Sequence, residues 1–326
     1  MESPAIVNNI FPDTISFEEK ARQVMQFQFD NNPVYRQWNE LLGMNIATIK
    51  RLEDIPFLPI SFFKTHKVVS GTGKADYVFE SSGTTQTINS YHHVLNGSLY
   101  EESYLKAFRL FYGDVKDWCI IGLLPSYLER QHSSLVVMVD GLIKRSACIE
   151  SGFYLNEFEK LQAVLTKLES KNQKTWLIGA TFGLLDFAEQ VPMKLKNTTV
   201  IETGGMKGRR TEMTRAEVHA ILQQQFGLTN IHSEYGMTEL LSQAYSTGNG
   251  RFFCPPWMKV LIREEEDPLK LKLRGRGILN VIDLANVYSA SFIATDDLGV
   301  VYEDGSFEVI GRRDNSDLRG CSLLTI

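Results

Sequence analysis

Residues 77 to 90 read YVFESSGTTQTINS, and their centre, Ser81-Ser82-Gly83-Thr84-Thr85, sets four hydroxyls around one glycine. A tight turn of this kind after a strand offers free backbone amides together with hydroxyl donors, a set suited to phosphate oxygens. The same residues also make an ordinary polar loop, and on the loop alone both readings stand. A second phosphate pattern, Gly71-Thr72-Gly73-Lys74, fails as a P-loop. Val68 stands where the first glycine belongs, and Ala75 stands where Ser or Thr should follow the lysine. The four cysteines, Cys119, Cys148, Cys254 and Cys321, lack CxxC spacing and imply neither a zinc site nor a disulfide framework.

Positioning such groups takes a large core, and 326 residues with 43% hydrophobic content can bury one. The formal charge of -5 carries no basic block, which argues against nucleic acid as a partner. No apolar run approaches the ~20 residues that span a bilayer, and Glu2 stands where a secretion signal wants a basic region. A cytoplasmic protein with no membrane span is expected. Ser16 and Glu19 form a capping box that opens a helix running to Leu42, with Gly43 as its stop. Ser98 with Glu101 caps a second helix that ends near Gly113.

From there apolar strands at 118–124, 175–180, 198–203 and 229–233 alternate with helices near 134–145, 156–170, 182–190 and 214–226. That alternation predicts an α/β fold, a parallel sheet with crossover helices. Beyond about 256 short strands with turns between them predict a small antiparallel or barrel-like subdomain. The expected division is an α/β core over 1–255 and a small β subdomain over 256–326.

Four stretches in order, SSGTT (81–85), SEYGMTE (233–239), FIATDDLG (292–299) and IGRRDNSDLRG (310–320), resemble the core motifs of the adenylate-forming ligases. Those enzymes join a carboxylate to ATP and give acyl-AMP and pyrophosphate. The resemblance implies that Ser81, Ser82, Gly83, Thr84 and Thr85 hold the triphosphate, and that Gly204 and Gly205 also meet the nucleotide. It further implies that Tyr235, flanked by Gly236 and Met237, packs on adenine, that Thr238 touches the α-phosphate, and that Glu239 binds Mg2+. Asp297 matches the aspartate that holds the ribose hydroxyls, with Asp296 as an adjacent alternative, and Arg312 matches the arginine that assists it. The residue types suit these tasks: a ring for a base, an oxygen ligand for a hard cation. Read singly, Tyr235 is also an ordinary aromatic at a strand end, Glu239 a first-turn helix glutamate, and Asp297 a turn residue. The loop after Thr85 lacks the Gly-x-x-Lys that usually follows in the superfamily.

With IPFLPISFFK (55–64), ETGGMKG (202–208), CPPW (254–257) and RRDNSDLRGCSLL (312–324), the chain from about residue 20 is similar to the acyl-protein synthetase family. That family, of the long-chain-fatty-acid luciferin-component ligase type, is a branch of the superfamily without the C-terminal lid domain. The likeness implies that the activated acyl group passes from AMP to Cys321 as a thioester, for delivery to an acyl-CoA reductase-like or acyltransferase partner. Arg312, Arg313 and Arg319 could lower the thiol pKa if the fold brings them close. The ten residues from Gly311 to Cys321 reach up to ~33 Å when extended. His132 matches the family's histidine on the carboxylate side, where it could orient the carboxylate or shield the acyl-adenylate. Without a lid, the cation that steadies the leaving pyrophosphate would come from a partner, from Lys207 or from Lys64. A ligase that loads CoA or a carrier protein, and a module that binds nucleotide without chemistry, are the competing readings.

Overall fold

The computed structural model describes residues 6–81, 88–125, 132–155, 157–204 and 213–313. Its elements in chain order begin with α1 (Phe17–Asn31), α2 (Pro33–Leu41), β1 (Leu58–Pro59), α3 (Phe62–Thr65), β2 (Tyr77–Glu80), β3 (Tyr91–Val94) and α4 (Gly97–Tyr112). An alternating stretch follows: β4 (Cys119–Leu123), α5 (Ser134–Arg145), β5 (Gly152–Phe153), α6 (Phe158–Ser170), β6 (Thr175–Ala180), α7 (Thr181–Gln190), β7 (Thr198–Thr203), α8 (Arg215–Phe226) and β8 (His232–Tyr235). Then come β9 (Ala244–Ser246), β10 (Met258–Arg263), β11 (Leu271–Lys272), β12 (Gly275–Asp283), β13 (Phe292–Val301) and β14 (Phe307–Arg312).

The alternating stretch builds one sheet in the order β5-β4-β6-β7-β8-β9, parallel throughout except for β9. Parallel strands covered on both faces carry continuous apolar runs, and β4 and β6 are buried at every residue. Alternate residues serve the two faces. Cys119, Ile121 and Leu123 pack with α6, α7 and α8, whereas Ile120 and Ile178 face the larger core with α4 and α5. Helix α8 is the best specified of these helices. Thr214 accepts from Glu217 N–H, Glu217 reaches back to Thr214 N–H, and Gly227 closes the helix at φ 67°.

The second large sheet runs β1-β13-β12-β10-β11, with β14 on β13, and is antiparallel except for the β1–β13 pair. Pairing Leu58 with Ile293 brings the N-terminal third of the chain onto this sheet. Gln28 of α1 fastens it there by donating to the carbonyls of Asn286 and Val287.

Two expected helices differ in their boundaries. The helix from Ser16 breaks at Asn32, whose side chain caps α2 by accepting from Val34 and Tyr35 N–H, with Pro33 in the first position. Proline fits that position because no hydrogen bond is lost there. Helix α4 starts from Asn96 rather than Ser98: Asn96 Oδ1 accepts from Leu99 N–H, and the Ser98 hydroxyl donates to the same oxygen.

Candidate active site

Strands β7 and β8 end side by side, with Thr203 opposite Glu234 in register, and their carboxyl ends deliver Gly204 and Tyr235 to one edge. Ligands of open α/β sheets gather at that edge. Gly204 has φ 82°, a left-handed conformation that glycine takes without strain. Gly236 packs against the carboxyl of Glu234, where a β-carbon would push on Oε1.

Tyr235 bridges the two sheets. Its hydroxyl donates to Asp297 Oδ2 at 2.8 Å, and its ring stands edge-on to Phe307 with centroids 5.2 Å apart. Asp297 lies opposite Arg312 in the β13–β14 register, and the guanidinium Nε sits 3.9 Å from Oδ1. Burial raises the Asp297 pKa, with the Tyr235 hydroxyl and Arg312 pulling the other way. Asp296 is not the residue that meets Tyr235; its carbonyl accepts from Arg313 N–H.

Glu239 follows in the turn after β8 and is buried, at 5% exposure. Burial raises its pKa, opposed first by a hydrogen bond from Ser90 and also by the positive field of Arg312. Ser90 in turn is paired with Ser81: Ser81 N–H donates to the Ser90 carbonyl at 3.1 Å, and Ser90 N–H donates to Ser81 Oγ at 2.8 Å. The start of the hydroxyl loop, Glu239, Asp297, Arg312 and Tyr235 therefore share one neighbourhood. Glu239 lies in a turn and not in a helix, which removes the first-turn reading of that residue.

His132 packs against β2, the strand that leads into the hydroxyl loop. Its carbonyl accepts from Glu80 N–H at 2.8 Å, and its Nδ1 lies 3.2 Å from the Val78 carbonyl. The ring is therefore tied through Nδ1–H, which in the neutral form leaves Nε2 as the basic nitrogen. Thr238 and Met237 are half-buried in the turn, and Gly236 is exposed. Ser82, Gly83, Thr84, Thr85, Gly205, Lys207, Arg319 and Cys321 lie outside the described residues. Lys64 is exposed on α3. Among the described cysteines, burial pushes the Cys254 thiol up to about 12 and raises that of Cys119.

Motif spacing did not point to three buried polar residues around this turn, His92, Asp283 and Asn286. Thr203 donates to Glu234, whose carboxyl burial pushes up to about 7, and His92, Asp283 and Asn286 hold the backbone of residues 238–242. Asp283 and Asn286 did carry a signal of burial, each being a polar residue between two apolar neighbours.

The family model for acyl-protein synthetase, LuxE, matches residues 156–325, just over half of the chain. The chain belongs to that family. It is 24% identical to the long-chain-fatty-acid luciferin-component ligase of Aliivibrio fischeri, over 96% of this chain and 90% of that protein. To the Vibrio harveyi ligase of the same name it is 23% identical, over 91% of this chain and 84% of the relative. Among solved structures it resembles 2-hydroxyisobutyryl-CoA ligase in the postadenylation state with 2-HIB-AMP, at a TM-score of 0.67 and 13% identity. That match covers 92% of this chain and 67% of the other. O-succinylbenzoate coenzyme A synthetase (MenE) of Bacillus subtilis, in complex with ATP and magnesium ion, matches at 0.50 and 16% identity, covering 72% and 50%. The fold is thus that of the adenylate-forming ligases, and this acyl-protein synthetase is an ATP-dependent ligase. Among the described residues no helix is long and apolar enough to cross a membrane.

The site also fits a magnesium ion brought in with phosphate. Magnesium takes one or two carboxylates and fills the rest of its shell from phosphate and water, so an all-protein cage is unnecessary. Glu239 supplies carboxylate oxygens whose buried charge a cation would offset.

Proposed function

We propose that the protein activates a carboxylic acid, of fatty type, with MgATP and then carries the acyl group on Cys321. In the first step a carboxylate oxygen attacks the α-phosphorus, the bond to the bridging oxygen breaks, and pyrophosphate leaves with the electron pair. In the second, the Cys321 thiolate attacks the acyl carbon, and AMP leaves with the electrons of the acyl–oxygen bond. The observation that carries this reading is the convergence of Tyr235, Asp297, Arg312, Glu239 and the Ser81–Ser90 pair on one sheet edge, in a chain of this family.

Asp297 and Tyr235 would fix the ribose and base, with the Tyr235 hydroxyl and then the charge of Arg312 opposing the rise that burial causes in the Asp297 pKa. Thr238, the hydroxyls of residues 81–85 and the glycines at 204–205 would meet the phosphates as neutral donors. A magnesium ion on Glu239 would neutralise phosphate charge as it passes to the leaving group. His132 Nε2, beside β2, is suited to orient the acid's carboxylate. A fatty acid is the substrate named for both relatives, and the acyl-receiving protein would be a reductase or acyltransferase.

Acid-dependent exchange of labelled pyrophosphate into ATP tests the first step. Exchange that requires magnesium and a long-chain acid is expected, with a loss of about 100-fold in Glu239→Gln, the size typical of removing one positioned electrostatic group. No exchange with any carboxylic acid in the presence of MgATP overturns the reading.

A further inference from the structure

The turn that carries Thr238 and Glu239 is held by side chains from outside the motif. Asn286 Nδ2 donates to the Glu239 carbonyl at 2.7 Å and to the Ala290 carbonyl at 2.8 Å. Those two donations fix the amide, so its Oδ1 faces His92 Nε2 as an acceptor at 3.0 Å. The other ring nitrogen of His92, Nδ1, lies 2.8 Å from the Thr238 carbonyl, and the buried neutral ring, with one N–H, donates to one of these two oxygens at a time. Asp283 accepts from the N–H groups of Leu241 and Ser242, at 2.8 and 2.9 Å, and from the Ser242 hydroxyl at 2.6 Å. His92, Asp283 and Asn286 are fully buried.

Residues 236 to 243 form neither helix nor strand, and a backbone turn bond runs from Leu240 N–H to the Met237 carbonyl. Further order comes from β3 through His92, from Asp283 at the end of β12, and from Asn286 in the short 3-10 turn that follows it. Buried polar groups that are satisfied in only one geometry make a segment rigid. Any shift of the turn leaves carbonyls or N–H groups unpaired, at a cost of about 1–3 kcal/mol each.

We propose that His92, Asn286 and Asp283 are positioning residues for acid activation, clamping the 238–242 turn so that Thr238 and Glu239 meet the α-phosphate and its magnesium ion in reactive geometry. The proposal rests on the function assigned above. None of the three touches the reacting atoms. They act through the backbone, which is why a small displacement should cost chemistry more than nucleoside binding.

His92→Phe and Asn286→Asp test the clamp in the full-length chain. Phenylalanine keeps a ring that can pack edge-on to Phe63 and near Phe79, as His92 does with centroids 5.6 and 6.3 Å away, and removes both ring nitrogens. Asn286→Asp keeps the shape and turns the donor facing the Glu239 carbonyl into an acceptor. Three quantities are read: kcat for acid-dependent pyrophosphate exchange, calorimetric affinity for MgATP, and calorimetric affinity for AMP without magnesium. Expected are a fall in kcat of about 30-fold or more and about tenfold weaker MgATP binding, with AMP affinity within about twofold of wild type. Wild-type exchange and MgATP affinity in either folded variant overturn the clamp, as does a parallel loss of AMP binding, which marks a merely structural role. Glu239→Gln run alongside separates the two levels. A wild-type protein silent with every acid defeats the assigned function, whereas an active wild type, an impaired Glu239→Gln and an unchanged His92→Phe defeat the clamp alone.

Discussion

The hydroxyl of Tyr235 donates to Asp297 at 2.8 Å, joining the end of β8 in the parallel sheet to the middle of β13 in the antiparallel one. The bond matters because Asp297 is half-buried and burial raises its pKa, so its carboxylate depends on the donors that reach it.

Tyr235→Phe deletes that donor and keeps the ring against Phe307. A hydrogen bond to a charged group contributes about 1.5–3 kcal/mol, so AMP and ATP should bind about 10-fold or more weakly. Asp297→Ala should be worse, since it removes the ribose partner itself. Calorimetric titration with AMP checks both, and equal affinity in Tyr235→Phe and wild type would show that the bond does not organise the nucleotide pocket.

Glu234 gives a pH prediction. Burial pushes its carboxyl up to about 7, from an ordinary value of 4.5. A raised acid pKa means the folded state holds the proton more tightly than the unfolded chain. That contribution is complete below about 4.5 and is lost as pH rises through about 7. Glu234→Gln mimics the protonated form, so the stability difference, variant minus wild type, should grow between pH 5 and 8. Urea midpoints across that range measure it, and a difference independent of pH would mean Glu234 is ionised throughout.

A buried charged group lies under the same edge. Glu202 Oε1 accepts from Arg215 Nε at 3.1 Å, with His219 Nε2 at 3.6 Å and the Thr181 hydroxyl on Oε2. Burial alone would raise the Glu202 pKa, but the hydrogen bond from His219 and the charge of Arg215 outweigh it and bring it to about 2. Arg215 also donates to the Val309 carbonyl of β14, tying α8 to the strand that carries Arg312. Arg215→Met should therefore destabilise the fold by about 3 kcal/mol, because it leaves a buried carboxylate without its cation. Glu202→Gln combined with it should recover much of that loss. A chemical denaturation series checks both, and a loss under about 1 kcal/mol in the single variant would show that the pair is solvent-screened.

Much of this was legible in the sequence, and the reasons differ by element. Strands β6 and β7 were read at 175–180 and 198–203 because their apolar runs are buried on both faces and bounded by polar turns. The grouping of Tyr235, Glu239, Asp297 and Arg312 came from motif order alone. The break at Asn32–Pro33 was not read because buried positions such as Met25 and Tyr35 continue at helical spacing across it. The clamp residues His92, Asp283 and Asn286 were missed for a different reason. Their partners lie up to 194 residues away, and no local pattern encodes such a contact.

Acyl transfer to the chain itself is the most exposed part of the proposed function, and one experiment reaches it directly. Wild type and Cys321→Ser are incubated with ATP, magnesium and mixed fatty acids, then digested and mapped by mass spectrometry. Expected is one acyl mass on the peptide containing Cys321, released by hydroxylamine, absent from Cys321→Ser while that variant keeps its pyrophosphate exchange. An acyl group that persists at full level in Cys321→Ser, or a wild type that forms acyl-AMP and never acylates Cys321, would contradict it.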